Sequence, residues 1–381
     1  MKKLPISIML AAGYIISQAS FAQSNLTKAE ITYEKNWRTL EQKIILTQEF
    51  KTRIKTKSLQ FDFSVLDTTG SHLPEQPEIA SYNISLEEGV FGVKAGMKTI
   101  DAFKILGVPT SEVALNDSDV LYSFGRNLWL VAKNDKVHIV TNKNNWISST
   151  LKSLIAFDER NLNSWKIDGH IERLATKQQV VESLAGEFIE DAKFRLNADS
   201  NDIGLEIDFV RDTFSEGAML VVNEFRYGNL TDNVKIDANY INDNTQGRYD
   251  TIDDMIRENT KNNKPTLISD LSFYPIFTAY GTEKQKIYAY DNHLILIADD
   301  EEIKKIYIAE TLFYNTNSHA KWKFGNIYVH QVSDELADKF EGEVFGVDDY
   351  WEVYTDAFKY DFYFKKDNNT LVLDELAIEI Y

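Results

Sequence analysis

The residues from Tyr122 to Val140 recur 166 positions later, without a gap, as Tyr288 to Ile306. Tyr122 matches Tyr288, Leu128 matches Leu294, Leu130 matches Leu296 and Ala132 matches Ala298. Phe124/Tyr290, Val131/Ile297, Val137/Ile303 and Val140/Ile306 keep their apolar character. In the first copy Gly125-Arg126-Asn127 and Lys133 to Lys136 separate three short apolar runs, the pattern of an antiparallel meander. Internal duplication bounds the architecture before any other feature does, because each copy must bury the same faces.

A helix is expected ahead of each meander. In the first copy Val90 to Val93 reads as a strand. Thr99 is then expected to cap a helix from Ile100 to Leu106, with Ile100, Phe103 and Leu106 on one face. Gly107 ends it and Pro109 prevents its return. In the later copy Phe277 stands to Gly281 as Phe103 stands to Gly107, so a helix is expected there too, with Pro275 early in it. This places the glycines 281 − 107 = 174 positions apart and implies a loop eight residues shorter than in the first copy. Two weaker copies follow the same plan. One opens with Thr176 to Gln179 and runs through strands at Ile203 to Val210 and Ala218 to Phe225. In the other, Ser333 caps Asp334 to Phe340, and strands follow at Tyr360 to Phe364, Leu371 to Leu373 and Leu376 to Ile380.

The expected fold class is α+β, tandem units of a short helix packed on an antiparallel β-meander. The units are residues 88–160, 161–228 (a weaker copy), 265–315 (the repeat of the first) and a C-terminal β-rich unit, 316–381. Between them 229–264 reads as a polar, asparagine-rich linker with one short helix starting at Thr251, and as the main interdomain boundary.

The N-terminus reads as an export signal over residues 1–22. Lys2 and Lys3 precede an apolar run from Leu4 to Ile16, and Ser20-Phe21-Ala22 places the cut after Ala22. The run is too short for a well-anchored transmembrane helix, and no later stretch is apolar enough for one. Residues 23–87 read as an extension and linker. Within it Lys43, Lys51, Arg53, Lys55 and Lys57 form a cationic stretch, read as docking on the chain's own body in preference to a partner. Leu59 to Val65 alternates as a half-buried strand, and Asp67 to Ala80 reads as a loop. Removing 22 of 381 residues leaves 359, too many for one compact core. The formal charge of −18 becomes −18 − 2 = −20 without Lys2 and Lys3, a field that repels nucleic acid and anionic lipid. There is no Cys, hence no disulfide and no thiol chemistry. These features together read as a bacterial envelope protein, periplasmic or secreted.

No hydrolase signature, P-loop or dinucleotide fingerprint is present. His72, His138, His170, His293, His319 and His330 are scattered singly and read as strand or loop residues. Asn242 to Gly247, with Asp250 and Asp253, has the outline of a calcium loop. Its Asn242, Asn244 and Gln246 are neutral, so it reads as an asparagine-rich loop, and no metal or cofactor is expected. Asp299 to Glu302 reads as a solvated turn. The stretch with most chemistry is Phe345 to Phe364, where aromatic residues mix with Asp348, Asp349, Asp356 and Asp361. Tyr350, Trp351, Tyr354 and Phe358 are the candidate binding residues there. The competing reading is a strand whose Tyr360, Phe362 and Phe364 fill a core. No catalytic residue is nominated.

Ala102-Phe-Lys-Ile-Leu-Gly-Val-Pro-Thr110 followed by Leu121-Tyr-Ser-Phe-Gly-Arg-Asn-Leu-Trp-Leu-Val131 resembles the small domain of SmpA/OmlA-type outer-membrane assembly lipoproteins. It is also similar to the tandem units of the β-lactamase inhibitory protein family. The resemblance implies helices packed on an antiparallel sheet and action by binding other proteins. The anchoring Cys of the lipoproteins and the disulfides of the inhibitors have no counterpart here, and no functional residue carries over. The expected function is that of an exported, non-catalytic binding protein that presents α+β units to a protein partner. The alternatives are a glycan or small-molecule binder that uses the aromatic cluster near Trp351, and a hydrolase with an acidic pair.

Overall fold

The computed structural model describes residues 73, 76–162, 165–197, 203–212, 219–237, 245–281, 285–309, 311–314, 321–340, 344–347 and 349–381. Residues 1–22 expected to be a leader, the cationic stretch, Leu59 to Val65, His72, Asn242 to Asn244 and His319 lie outside these residues.

The first part of the chain contains β1 (Asn83–Ser85), β2 (Gly89–Val90), α1 (Thr99–Leu106), β3 (Ser111–Ala114), β4 (Asp119–Phe124), β5 (Leu128–Lys133) and β6 (Lys136–Thr141). It continues with α2 (Ser149–Leu154), β7 (Lys166–Ile167), β8 (Ile171–Glu172), α3 (Lys177–Ser183), β9 (Glu187–Glu190), β10 (Lys193–Asn197), β11 (Ile203–Arg211) and β12 (Leu220–Asn229). The second part opens with α4 (Thr245–Lys261), then β13 (Phe277–Tyr280), β14 (Lys286–Ala289), β15 (Leu294–Asp299) and β16 (Glu302–Ile308). It ends with β17 (Lys323–Phe324), β18 (Ile327–Tyr328), α5 (Ser333–Ala337), β19 (Val344–Val347), β20 (Tyr350–Tyr354), β21 (Phe358–Asp367) and β22 (Thr370–Ile380). The protein is mixed α+β and mostly β.

One 16-stranded antiparallel sheet dominates, in the order β19-β20-β21-β22-β16-β15-β14-β13-β3-β4-β5-β6-β12-β11-β10-β9. The order reads the same from both ends with strand numbers differing by ten. The halves meet where β13 pairs with β3, Phe277 opposite Val113 and Ala279 opposite Ser111. Local detail repeats with it. β5 and β15 start at Leu128 and Leu294, 166 positions apart, and each ladder to the next strand is bulged at matching places, Val131/Ala132 and Ile297/Ala298. Asn134 and Asp135, and likewise Asp300 and Glu301, take positive φ in the connecting turns. Positive φ at both central residues makes the tight turn whose twist suits a hairpin.

The sheet is buried on both faces at its centre, which is why β5 and β15 are nearly unbroken apolar runs. On one face α1, α3 and the small sheet β2-β1-β7-β8 cover Leu130, Val140, Ile207 and Tyr227 in the first half. On the same face of the second half α4, α5 and the β17–β18 hairpin cover Leu296, Ile306, Phe362 and Ile378. Among the described residues the apolar cover of the opposite face centres on the junction of the halves. There Ile147, Leu151, Ile155, Ile236, Leu312 and Phe313 pack on Val131, Leu121, Phe277 and Ile295. Among the described residues this cluster reaches the outer strands only at Ala377 and Tyr363.

Several local expectations change. Phe277 to Tyr280 is a strand, not a helix, and it matches β3 at 277 − 111 = 166, so no shortened loop is needed. Its residues alternate between buried and half-buried, the period of a strand, and Pro275 lies before it. Each of these meanders therefore has four strands, because Ser111–Ala114 pairs on both sides. The covering helix of this half is α4, which spans 17 residues within the stretch read as a polar linker and buries Tyr249, Ile252 and Ile256. Thr99 is the first residue of α1 rather than its cap, and Ile100 is exposed while Thr99, Ala102 and Leu106 are buried. Ser333 likewise starts α5 without capping it. Thr176 does cap α3, in a reciprocal box with Gln179.

Candidate functional site

The second face of β19 to β22 brings together Phe345, Val347, Tyr350, Glu352, Tyr354, Lys359, Asp361, Tyr363 and Glu375. Register decides this set: Phe345 lies opposite Glu352, Glu352 opposite Asp361, and Asp361 opposite Ala377. In the next rows Val347, Tyr350, Tyr363 and Glu375 align, as do Tyr354, Lys359 and Glu379. Alternation sends every second residue to the other face.

Of the four aromatics the sequence nominated, Tyr350 and Tyr354 belong to this face. Trp351 and Phe358 point the other way. Trp351 lies opposite Phe362 and packs edge-on against Phe364 at 4.9 Å between ring centres, and Phe358 lies opposite Ile380. The core reading of Tyr360, Phe362 and Phe364 holds, and all three are buried. Sequence reasoning missed Glu352, Lys359, Tyr363 and Phe345. A period of two from Tyr350 through Glu352 to Tyr354 was the available signal.

At the centre of the face the Tyr350 hydroxyl lies 2.6 Å from Glu352 Oε1 and also reaches Asp361 Oδ1. Lys359 Nζ lies 3.2 Å from Glu352 Oε1 and 3.1 Å from Asp361 Oδ1. Partial burial works against the ammonium, but hydrogen bonding and attraction from Asp361 and then Glu352 outweigh it, and the Lys359 pKa is raised. Burial, then hydrogen bonds to Asp361 and Glu352, push the Tyr350 hydroxyl far above the usual phenol range. Burial with the same carboxylates nearby raises Tyr363. The phenols therefore remain neutral donors, and Lys359 remains a cation. Both carboxylates already bind Lys359 and Tyr350, and Asp361 is buried beneath the cluster. Tyr354 and Phe345 complete it as an edge-on pair at 6.1 Å, both exposed.

The matching face of β9 to β12 is built mainly from charge, with Val210 exposed beyond the bulge in β11. Arg195 pairs with Glu206, and Lys143 Nζ reaches Asp208 at 2.6 Å and Glu224 at 3.1 Å. Arg226 donates to the Asp232 carbonyl. His138 Nε2 lies 2.8 Å from Asp232 Oδ2, beside Lys133 Nζ at 2.5 Å from the same oxygen.

The remaining sequence candidates have structural partners. Gln246, Asp250 and Asp253 of the calcium-like stretch lie on α4, where Gln246 donates to Asp250 and Arg257 to Asp253. Asp299 to Glu302 forms the β15–β16 turn, with Lys286 Nζ at 3.3 Å from Glu301. No group of three or more potential metal-ligating side chains occurs among the described residues, and no helix among them is long and apolar enough to cross a membrane. In comparisons with known proteins, no protein-family model, curated protein or solved structure matches this chain.

Proposed function

We propose that this chain is an exported binding protein of the bacterial envelope. It is built of tandem α+β units and presents the second face of β19 to β22 to a protein partner. The observation that carries this reading is the contrast between the two wings of one sheet. The first wing neutralises its own charges among themselves. The second exposes Phe345, Val347 and Tyr354 around the Tyr350–Glu352–Asp361–Lys359 cluster. Exposed aromatic and apolar residues beside polar groups are the composition of protein-binding hot spots. The shared 166-residue offset, the matching bulges and the mirrored strand order support tandem duplication. They fit the resemblance to the inhibitory and assembly families. Export rests on the leader sequence.

The ligand-binding alternative is weakened because Trp351 and Phe358 face the core. The acidic-pair hydrolase is weakened because Lys359 and Tyr350 occupy the oxygens of Glu352 and Asp361.

A photo-crosslinker placed at Tyr354, with a control at Glu224 on the first wing, tests the proposal. One protein captured reproducibly from envelope extract at Tyr354 and not at Glu224 is the expected result. Equal capture from both positions, or none, overturns it. The mass of the secreted chain tests cleavage after Ala22.

A further inference from the structure

The large sheet ends in two unlike edges. At one, β9 carries Glu187 and Glu190 at its ends, and Phe188 between them packs on Phe194 and Phe209. Charge on an edge strand discourages a further strand from pairing. At the other edge β19 reads Val344-Phe345-Gly346-Val347, uncharged and exposed throughout, with Val347 at 68% and Phe345 at 53%. Among the described residues β19 pairs only with β20, so the backbone groups of its outer side point away from the sheet. Gly346 sets no side chain on the core-side face, where Trp351 closes the sheet beneath it.

We propose that β19 is a strand-addition site. It takes an extended segment of a protein partner, apolar at alternate positions and flanked by Lys or Arg. This rests on the protein-binding reading above and states how the partner is held. Backbone hydrogen bonds supply affinity in this mode, and alternate side chains supply specificity. Here those side chains meet Phe345 and Val347 on the second face and Val344 on the other.

Charge selects the occupant. The sequence is acidic on both sides of the strand, with Glu341 and Glu343 before it and Asp348 and Asp349 after it. A second copy brings the same acidic stretches, so two copies repel. Like charges facing across a strand pair destabilise it. The whole chain, at −18, adds to that repulsion. Basic flanks on the incoming strand reverse the sign of each of these interactions.

The test uses two synthetic peptides with one alternating Val-Thr core, flanked either by Lys or by Glu, added to the full chain. Amide hydrogen exchange is followed over 344–347. The Lys-flanked peptide is expected to slow exchange there by about tenfold or more, because added backbone hydrogen bonds protect the outer amides. The Glu-flanked peptide is expected to leave exchange unchanged. Val344→Lys, on the face opposite Tyr354, is expected to abolish the protection. No slowing with the Lys-flanked peptide overturns the proposal, and so does equal slowing with both. Slowing that grows with protein concentration alone assigns the edge to a second copy and also overturns it. The Tyr354 crosslink reports separately: capture there with unchanged exchange at β19 in the presence of the captured protein keeps the protein-binding reading and removes strand addition.

Discussion

The backbone of Gly346 lies against the indole of Trp351, so closely that a Cβ on the glycine would come 2.6 Å from Nε1. Gly346→Ala must therefore displace the indole from its seat on Phe364 or push β19 away from β20. Overpacking of this kind costs about 1–3 kcal/mol. Urea unfolding is expected to show that loss, with a changed near-ultraviolet dichroism from the moved indole. An unchanged midpoint and spectrum would mean that β19 yields freely, and the edge would not be a preformed strand.

The same register separates two tryptophan and tyrosine truncations that look alike in sequence. Trp351→Ala empties a site against Phe364 and the core and is expected to cost roughly 2–4 kcal/mol. Tyr354→Ala removes an exposed ring and is expected to cost under about 1 kcal/mol while abolishing pull-down of the partner. Thermal melts and capture assays on both variants check the split. Equal destabilisation would place the two residues on one face, against the observed pairing.

Lys359 holds Glu352 and Asp361 together. Lys359→Met leaves two neighbouring carboxylates without their cation, and Asp361 is nearly buried. The expected loss at neutral pH is about 1–3 kcal/mol. Urea unfolding at low and high salt reads this out, and a loss unaffected by salt would mean that Lys359 acts only by packing.

Asp291 is fully buried in the β14–β15 turn. Its Oδ1 accepts from the N–H groups of His293 at 2.7 Å and Leu294 at 2.8 Å, and from the Tyr249 hydroxyl at 3.2 Å. Burial raises its pKa, against the opposing effect of those hydrogen bonds. A carboxyl with a raised folded pKa contributes stability below its unfolded value and loses that contribution as pH rises through the folded one. Asp291→Asn keeps the acceptor and removes the charge. It is expected to stabilise the protein at neutral pH by on the order of 1 kcal/mol and to flatten the decline above the ordinary carboxylate range. Denaturant midpoints across pH measure this, and destabilisation at every pH would refute it.

The surface ion pair at Asp232 has the opposite sign. A hydrogen bond from Lys133 lowers its pKa against partial desolvation, and His138 adds to the lowering. Its contribution is present above the unfolded carboxylate value and is lost as pH falls through the folded one. Asp232 is well exposed, so the effect is small and screened by salt. Asp232→Asn is expected to change stability by under about 0.5 kcal/mol near neutral pH, with the difference vanishing in acid.

Local order was readable where burial is simple. The doubly buried strands Leu128–Lys133 and Leu294–Asp299 announce themselves as apolar runs, and Thr176 with Gln179 announces a capped helix. Short half-buried strands do not. Ser111–Ala114 carries Ser and Glu, and what makes it a strand is its place between β4 and β13. Phe277–Tyr280 carries a misleading signal, because a glycine four positions after Phe277 imitates a helix end. The candidate site was half legible: the aromatic richness of Tyr350 to Tyr363 is visible, but not which ring faces which way.

By itself the sequence determined that this chain is acidic, free of Cys and carries one apolar pattern twice at an offset of 166 positions. Only the tertiary structure decided that β3 and β13 join the halves into one sheet, that α4 covers the second half, and that Tyr350 and Tyr354 face outward while Trp351 and Phe358 face in. Those outcomes depend on strand register and on which layer covers which face. Both arise from contacts between residues far apart in the chain, which no local pattern encodes.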